Sequence, residues 1–365
     1  MDVLVVNAGS SSLKLRLLDA RDELTWQRDL DAAHGRADAA ELDAALRDAG
    51  PVDAIGHRVV RGGAGHAGAE RVDGALVDEL HALVDLAPLH QPPALDAMAA
   101  VGRALPGVPA VACFDTAFHA TLPPAARTYA LPAAWRERHG LRRFGFHGLS
   151  HAYAARRAAE MAPGARRVVT CHLGAGASLA AVLDGRSMDT TMGFTPLAGL
   201  VMATRSGDVD PGLLVWLLER GELSAGEVGD GLERQSGLLG LAGTADMRDV
   251  LRGLDAGDER AELAFGVYVH RLRGAIAAMA AAIGGVDALV FTGGVGERAA
   301  PVRQGAVAGL GMLGLELDLG ANDRAEGDAD VGAAGAAART LVVAAREDLE
   351  IARQVRETLA GQART

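Results

Sequence analysis

The sequence predicts an α/β protein built as two domains, and three observations carry that reading. At 365 residues the chain is long enough to bury two cores. Apolar runs of strand length alternate along it with stretches of helical spacing. Two of those runs, VLVV at 3–6 and RRVVT at 166–170, each open into a turn of small residues before an alternating stretch resumes. A strand, a tight turn and a second strand present several backbone N–H groups on one concave surface, which suits a polyanion.

In chain order, Val3–Val6 is the first strand, and Leu13, Leu15 and Leu17 give the second a period of two. Residues 31–49 are rich in Ala and Asp at helical spacing. AIGHRVV at 54–60 reads as a strand ending in Arg61-Gly62-Gly63, and a helix at 75–86 is stopped by the prolines of APLHQPP. Residues 108–114 form a strand that delivers Asp115, and the Pro- and Arg-punctuated segment 120–145 carries the chain between domains. A helix at 150–161 precedes the second strand–turn–strand unit at 166–183. Helices follow at 211–220, 225–236 and 259–283, then a strand at 287–292, a last strand at 340–345 and a terminal helix. No period of 20–50 residues repeats, so the recurrence of the strand–turn–strand unit is topological.

Composition excludes several function classes. A net charge of −11 argues against a nucleic-acid partner, although local basic groups could still hold small anions. Cys113 and Cys171 are too few for a disulfide framework, lack metal-ligand spacing, and read as reduced core residues. The chain starts directly on a strand pattern, so no signal peptide is expected, and its longest apolar stretch, 275–286, is too short for a bilayer. The expectation is a cytoplasmic protein with no membrane partner. No GxxxxGK[ST] sequence occurs, and the GxGxxG matches at Gly63 and Gly309 lack a strand–turn–helix setting.

Five segments each have the composition of one wall of a phosphoryl-transfer site: NAGSSSLK at 7–14, CHLGAGAS at 171–178, ATRSGDVDP at 203–211, FTGGVGE at 291–297 and AREDLEIA at 345–352. The two small-residue turns, far apart in sequence, suggest two half-sites closing on one nucleotide. In the first, Gly9 allows close backbone approach, Ser10 to Ser12 donate, Lys14 adds a charge, and the Asn7 amide could orient a hydrated cation. An ordinary Gly-Ser hairpin is the alternative. His147 lies between Gly145 and Gly148, which lets its backbone near a ligand, though a structural histidine would read the same way. Arg58 in a buried-looking strand and Arg205 in a loop of small residues fit a shared anion, or salt bridges to Asp115 or Asp208. Asp115 and Glu347 are candidate Mg²⁺ partners, against the alternatives of a helix cap or a solvated charge.

Taken together, these segments resemble the acetate kinases, within the superfamily of actin-like ATPases and sugar kinases. NAGSSSLK, GHRVVRGG, LAPLHQPP, FDTAFH, FGFHGLSH, CHLGAGAS, the stretch 189–211, FTGGVGE and REDLEIA run in family order almost end to end. The resemblance implies two actin-like (ribonuclease H-like) α/β domains with a nucleotide-binding cleft between them. Domain I would be 1–119 plus 349–365, and domain II 120–348, with most of the nucleotide site. It also implies reversible transfer of the γ-phosphoryl group of ATP to acetate, with Mg²⁺ (or Mn²⁺) as cofactor, in a homodimer.

Residue by residue, the resemblance implies Asn7 and Glu347 as metal contacts and Lys14 near the phosphates. Arg58 would bind the acyl carboxylate, with Val60, Leu89, Phe146 and Pro196 around the methyl group. His147 and Arg205 would stabilise the transferring phosphoryl, and Asp115 is the family's catalytic acid. His172, Leu173, Gly174, Ala175 and Gly176 would hold the phosphates. Asp246, Met247, Arg248 and the run Gly294, Val295, Gly296, Glu297, Arg298 would surround the adenosine. Ala175 and Ala177 stand where the family places Asn and Ser, Leu149 where it places Thr, and Arg298 where it places Asn. Arg298 is expected to replace part of the donors lost at Ala175. Val60 favours acetate over propionate, with overlap because one methylene discriminates by only about 1–3 kcal/mol. A hydrolytic ATPase switch and a kinase-like binding protein are the rival classes, and neither explains Arg58 and Arg205 beside an apolar pocket.

Overall fold

The computed structural model describes residues 1–9, 12–33, 36–84 and 91–362. Two compact units divide the chain: Met1–Ala120, Phe146–Tyr153 and Arg346–Thr365 form the first, Thr121–Gly145 and Ala154–Ala345 the second. The segment 120–145 therefore sits inside the second unit, where it forms short helices at Pro124–Arg127 and Ala133–His139.

The first unit holds a sheet of seven strands among the described residues: β1 (Val3–Ala8), β2 (Ser12–Leu18), β3 (Leu24–Ala33), β4 (Arg36–Ala37), β5 (Ala54–Val59), β6 (Glu70–Arg71) and β7 (Ala110–Phe114). Their order is β4-β3-β2-β1-β5-β7-β6. β1, β5 and β7 run parallel, so their carboxyl ends, carrying Asn7, Arg58 and Asp115, come out on one edge. That edge is where open α/β sheets bind ligands. One face is covered by helix Glu347–Gln362, whose Ile351, Ala352 and Val355 pack on Val3, Val5, Val111 and Cys113. Helices Ala39–Asp48 and Gln91–Ala104 cover the other face through Leu42, Leu46, Ala97 and Val101.

The second unit repeats the arrangement. β8 (Arg167–Leu173), β9 (Ala177–Leu183), β10 (Arg186–Thr190), β11 (Ala288–Thr292), β12 (Ala329–Asp330) and β13 (Arg339–Val342) lie in the order β10-β9-β8-β11-β13-β12. β8, β11 and β13 are parallel. Helix Glu259–Ala282 packs on β8 and β9 through a buried stripe that includes Ala264, Tyr268, Leu272 and Ile276.

Residues 31–49 are not one helix. β3 runs through Ala33, and the helix starts at Ala39 behind Asp38, whose side chain accepts from the N–H groups of Ala40 and Glu41. The alternation of Leu24, Trp26, Leu30 and Ala32 is a strand signal that the Ala- and Asp-rich composition obscures; β3 pairs along the whole of β2. The second helix ends at Ala82 rather than 86, and the last strand at Val342 rather than 345.

Candidate active site

Four side chains converge at the carboxyl edge of the first sheet. Arg58 donates from Nε to Asp115 Oδ1 at 3.2 Å and from Nη2 to Asp115 Oδ2 at 2.6 Å. Its Nη1 donates to Asn7 Oδ1 at 3.2 Å. Glu347 Oε2 lies 3.7 Å from Arg58 Nε and accepts from Asn7 Nδ2 at 3.5 Å. The salt-bridge reading of Arg58 is thus realised with Asp115, yet the ligand reading survives. A guanidinium has five N–H groups, and the bonds to Asp115 and Asn7 leave one on Nη1 and one on Nη2. Charge-assisted bonds from such N–H groups are what hold a carboxylate. Val60, half-buried, follows β5 directly. Lys14 lies opposite Asn7 in the β1–β2 register and is exposed. Ser10, Ser11 and Leu89 lie outside the described residues.

Burial opposes the charge on Arg58, but Asp115 and then Glu347 hold it more strongly, and its pKa moves up. Burial pushes the Asp115 carboxyl up, Arg58 pulls it back, and Glu347 adds to the upward push. The net direction is upward, with burial the largest cause, while both carboxylate oxygens stay engaged by the guanidinium. Asp115 is therefore an orienting anion for Arg58, with both oxygens engaged. The oxygens of Asn7 and Glu347 are hard donors of the kind Mg²⁺ accepts alongside waters and phosphate oxygens, so these residues fit that ion.

Phe146, His147 and Gly148 are locked to the loop after β7. Gly148 N–H donates to the Asp115 carbonyl at 2.8 Å, and a Cβ at Gly148 would collide with that oxygen. Buried His119 donates through Nε2 to the Phe146 carbonyl at 3.0 Å. His147 takes the left-handed conformation, φ 55°, which is uncommon for a residue with a side chain.

In the second unit, the turn after β8 closes by Gly174 N–H to the Gly176 carbonyl at 2.9 Å. The Ala175 carbonyl accepts from Ala203 N–H at 3.1 Å, which ties this turn to the Arg205 loop. Arg205 Nη1 donates to the Pro196 carbonyl at 3.1 Å and contacts Met202 Sδ at 3.7 Å. Asp208 instead accepts from Gly199 N–H, so the alternative Arg205–Asp208 salt bridge is not formed. Burial lowers the Arg205 pKa, partly offset by Glu233. Gly207, at φ 69°, and Gly237, at φ 64°, lie so close to neighbouring backbone that no side chain would fit.

His172, the penultimate residue of β8, lies opposite Thr292 of β11, and Leu173, which ends the strand, is buried. Gly293, at φ 78°, then starts a short helix, Gly293–Arg298, packed on the Leu173 backbone. Gly294 and Arg298 are exposed on it and Val295 is half-buried. Glu297 Oε1 accepts from Ala345 N–H at 3.0 Å. Asp246 caps helix Met247–Asp255 and pairs with exposed Arg248, while Met247 is buried beneath. Two supporting residues were invisible as motifs. Arg143 Nη1 donates to the carbonyls of Thr190, Thr191 and Met192 at 2.9, 2.9 and 3.0 Å, and Tyr129 Oη accepts from Phe194 N–H at 2.8 Å. Their signal, an aromatic and an arginine in a Pro-rich segment, is too general to find them.

Comparison with known proteins agrees with this geometry. A sequence model described as the Acetokinase family matches residues 37–353. The chain is 42% identical to the acetate kinase of Synechococcus sp. strain JA-2-3B'a(2-13), over 99% of this chain and 100% of that protein. Its structure is similar to the crystal structure of Porphyromonas gingivalis acetate kinase, with a TM-score of 0.90 at 33% identity, covering 98% and 99% of the two chains. It is similar as well to a propionate kinase from Francisella tularensis subsp. tularensis SCHU S4, with a TM-score of 0.89, 33% identity and the same coverage. With Arg58 and Asp115 joined at the edge of an actin-like sheet and the family match spanning most of the sequence, the chain belongs to the acetokinase family.

Proposed function

We propose that this chain is an acetate kinase that transfers the γ-phosphoryl group of ATP reversibly to acetate, giving acetyl phosphate and ADP. The observation that carries the reading is Arg58, held by Asp115 and Asn7 with two N–H groups left for a carboxylate. A carboxylate nucleophile is already ionised at pH 7, so the site needs no strong general base. It needs positioning and relief of repulsion between two anions. Arg58 orients the acid, with Val60, Leu89, Phe146 and Pro196 around its methyl group. His147 and Arg205 stabilise the transferring phosphoryl. Asn7 and Glu347 hold Mg²⁺, which would neutralise charge on the phosphate oxygens when bound. Lys14 and the turn 172–176 hold the phosphates, and Asp246 to Arg248 with Gly294 to Arg298 take the adenosine.

The test is to trap acyl phosphate with hydroxylamine, crossing acetate, propionate and butyrate with ATP, GTP and pyrophosphate in Mg²⁺. Acetate with ATP is expected to give the highest kcat/KM. Acid-independent ATP hydrolysis without trapped product would overturn the kinase reading. Propionate is the second reading, favoured by the likeness to the Francisella propionate kinase and by the small energy of one methylene.

A homodimer in the cytoplasm completes the proposal. Leu213, Val215, Trp216 and Leu218 of helix Pro211–Glu219 are exposed together, the kind of apolar patch that a second subunit covers. No described helix is long and apolar enough to cross a membrane.

A further inference from the structure

We propose that Arg303 is a positioning residue for the nucleotide: its buried guanidinium fixes the backbone of Gly294 to Arg298, and the inference rests on reading that segment as the adenosine site. Arg303 lies in helix Ala300–Val307 and is only 1% exposed. Its Nη1 donates to the carbonyls of Gly296 and Glu297 at 2.9 and 2.8 Å. Nε donates to Asn322 Oδ1 at 2.7 Å and Nη2 to the Asn322 carbonyl at 2.6 Å. Asn322, fully buried, donates in turn to the Ala300 carbonyl at 3.1 Å. All of these acceptors of Arg303 are neutral oxygens. Burying a cation without a carboxylate is costly, and a hydrophobe would fill a core position at lower cost. What the guanidinium supplies is geometry. The short helix Gly293–Arg298 ends on carbonyls that no further turn can satisfy, and Arg303 takes two of them. Gly293 against the Leu173 backbone sets the start of the segment, Arg303 sets its end, and the Glu297–Ala345 bond holds it from the side. Lysine, a single point charge, cannot span both the helix end and Asn322.

The experiment measures ADP binding by calorimetry, and KM for ATP and for acetate, in Arg303→Gln, Arg303→Lys, Asn322→Ala and Val295→Trp proteins. Arg303→Gln should weaken ADP binding and raise the ATP KM about tenfold, roughly what one or two lost buried hydrogen bonds would give. The acetate KM should stay within about twofold of wild type, since uniform structural damage would move both substrates. Asn322→Ala should follow in the same direction with a smaller effect, and Arg303→Lys should recover part of the loss. If Arg303→Gln does not fold, Asn322→Ala decides: unchanged ADP affinity there overturns the proposal. Equal losses for both substrates, or a fall in kcat alone, overturn it too. Val295→Trp separates the two readings. If it leaves the ATP KM unchanged, the adenosine assignment fails; if it raises that KM while Arg303→Gln does not, only the role of Arg303 fails.

Discussion

Arg58 meets Asp115 with one edge of its guanidinium and Asn7 with Nη1, so its contributions to stability and to chemistry can be separated. Arg58→Ala should lower kcat/KM by about 10³ or more, as loss of an arginine that orients a reacting anion does. It should also cost about 3–5 kcal/mol in denaturant unfolding, because Asp115 is left buried and unpaired. The double variant Arg58→Met with Asp115→Leu should regain most of that stability and none of the activity. Failure to regain it would mean that the pair stabilises the fold in its own right. Asp287 gives a second prediction. The Arg167 side chain, opposed by burial and helped by the backbone N–H groups of Arg167 and Arg166, holds its carboxyl down at about 2. A depressed acid stabilises the fold above its unfolded value and loses that contribution as pH falls through its folded one. Melting temperature should therefore fall between about pH 4 and pH 2, and less steeply in Asp287→Asn. Parallel curves would remove Asp287 from the account. In the sequence, Arg58, Asp115 and Asn7 could each be singled out. That Asp115 is an orienting anion was legible only from the chemistry of an ionised acid substrate, and the Asn7 bridge was not legible at all.

Gly56 lets helix Glu347–Gln362 approach β5, since a Cβ there would stand 2.5 Å from Ile351 Cγ2 and 2.8 Å from Val355 Cγ2. Gly56→Ala should cost about 1–3 kcal/mol by overpacking. Because the helix begins with Glu347, the same change should raise the Mg²⁺ concentration needed for half-maximal rate. Trimming Ile351 to Ala in the Gly56→Ala background should restore the Mg²⁺ response; no restoration would place the defect in β5. The strands that feed the site were readable because VLVV, AIGHRVV and the run into Asp115 are apolar and bounded by turns. β3 was not, because Arg28 interrupts its inner face between Trp26 and Leu30, opposite Leu15, while Gln27, Asp29 and Asp31 lie on the other face. Nor was the short helix after Gly293, whose glycines and charges carry no period.

At the scale of the whole molecule, the exposed apolar face of helix Pro211–Glu219 predicts association. Leu213→Glu with Trp216→Glu should shift the mass in sedimentation from dimer to monomer; an unchanged dimer would move the interface elsewhere. The duplication of two sheets, each with three parallel strands and an antiparallel hairpin, was legible as two strand–turn–strand units. The return of 146–153 to the first unit was not, because it depends on the Gly148–Asp115 contact, which has no sequence period.

The cluster around Arg58 joins residues that lie 340 positions apart in the chain, Asn7 and Glu347. Between them the ribosome must produce the entire second unit. Domains fold as units during synthesis, at about 5–20 residues per second. The second sheet can thus be complete while the first still lacks the helix that seals β1, β5 and β7. A nascent chain stalled before Glu347 should expose the apolar face of Val3, Val5, Val111 and Cys113, and would be a target for chaperones. The Arg58 cluster is completed last, although Asn7 is among the first residues to be translated.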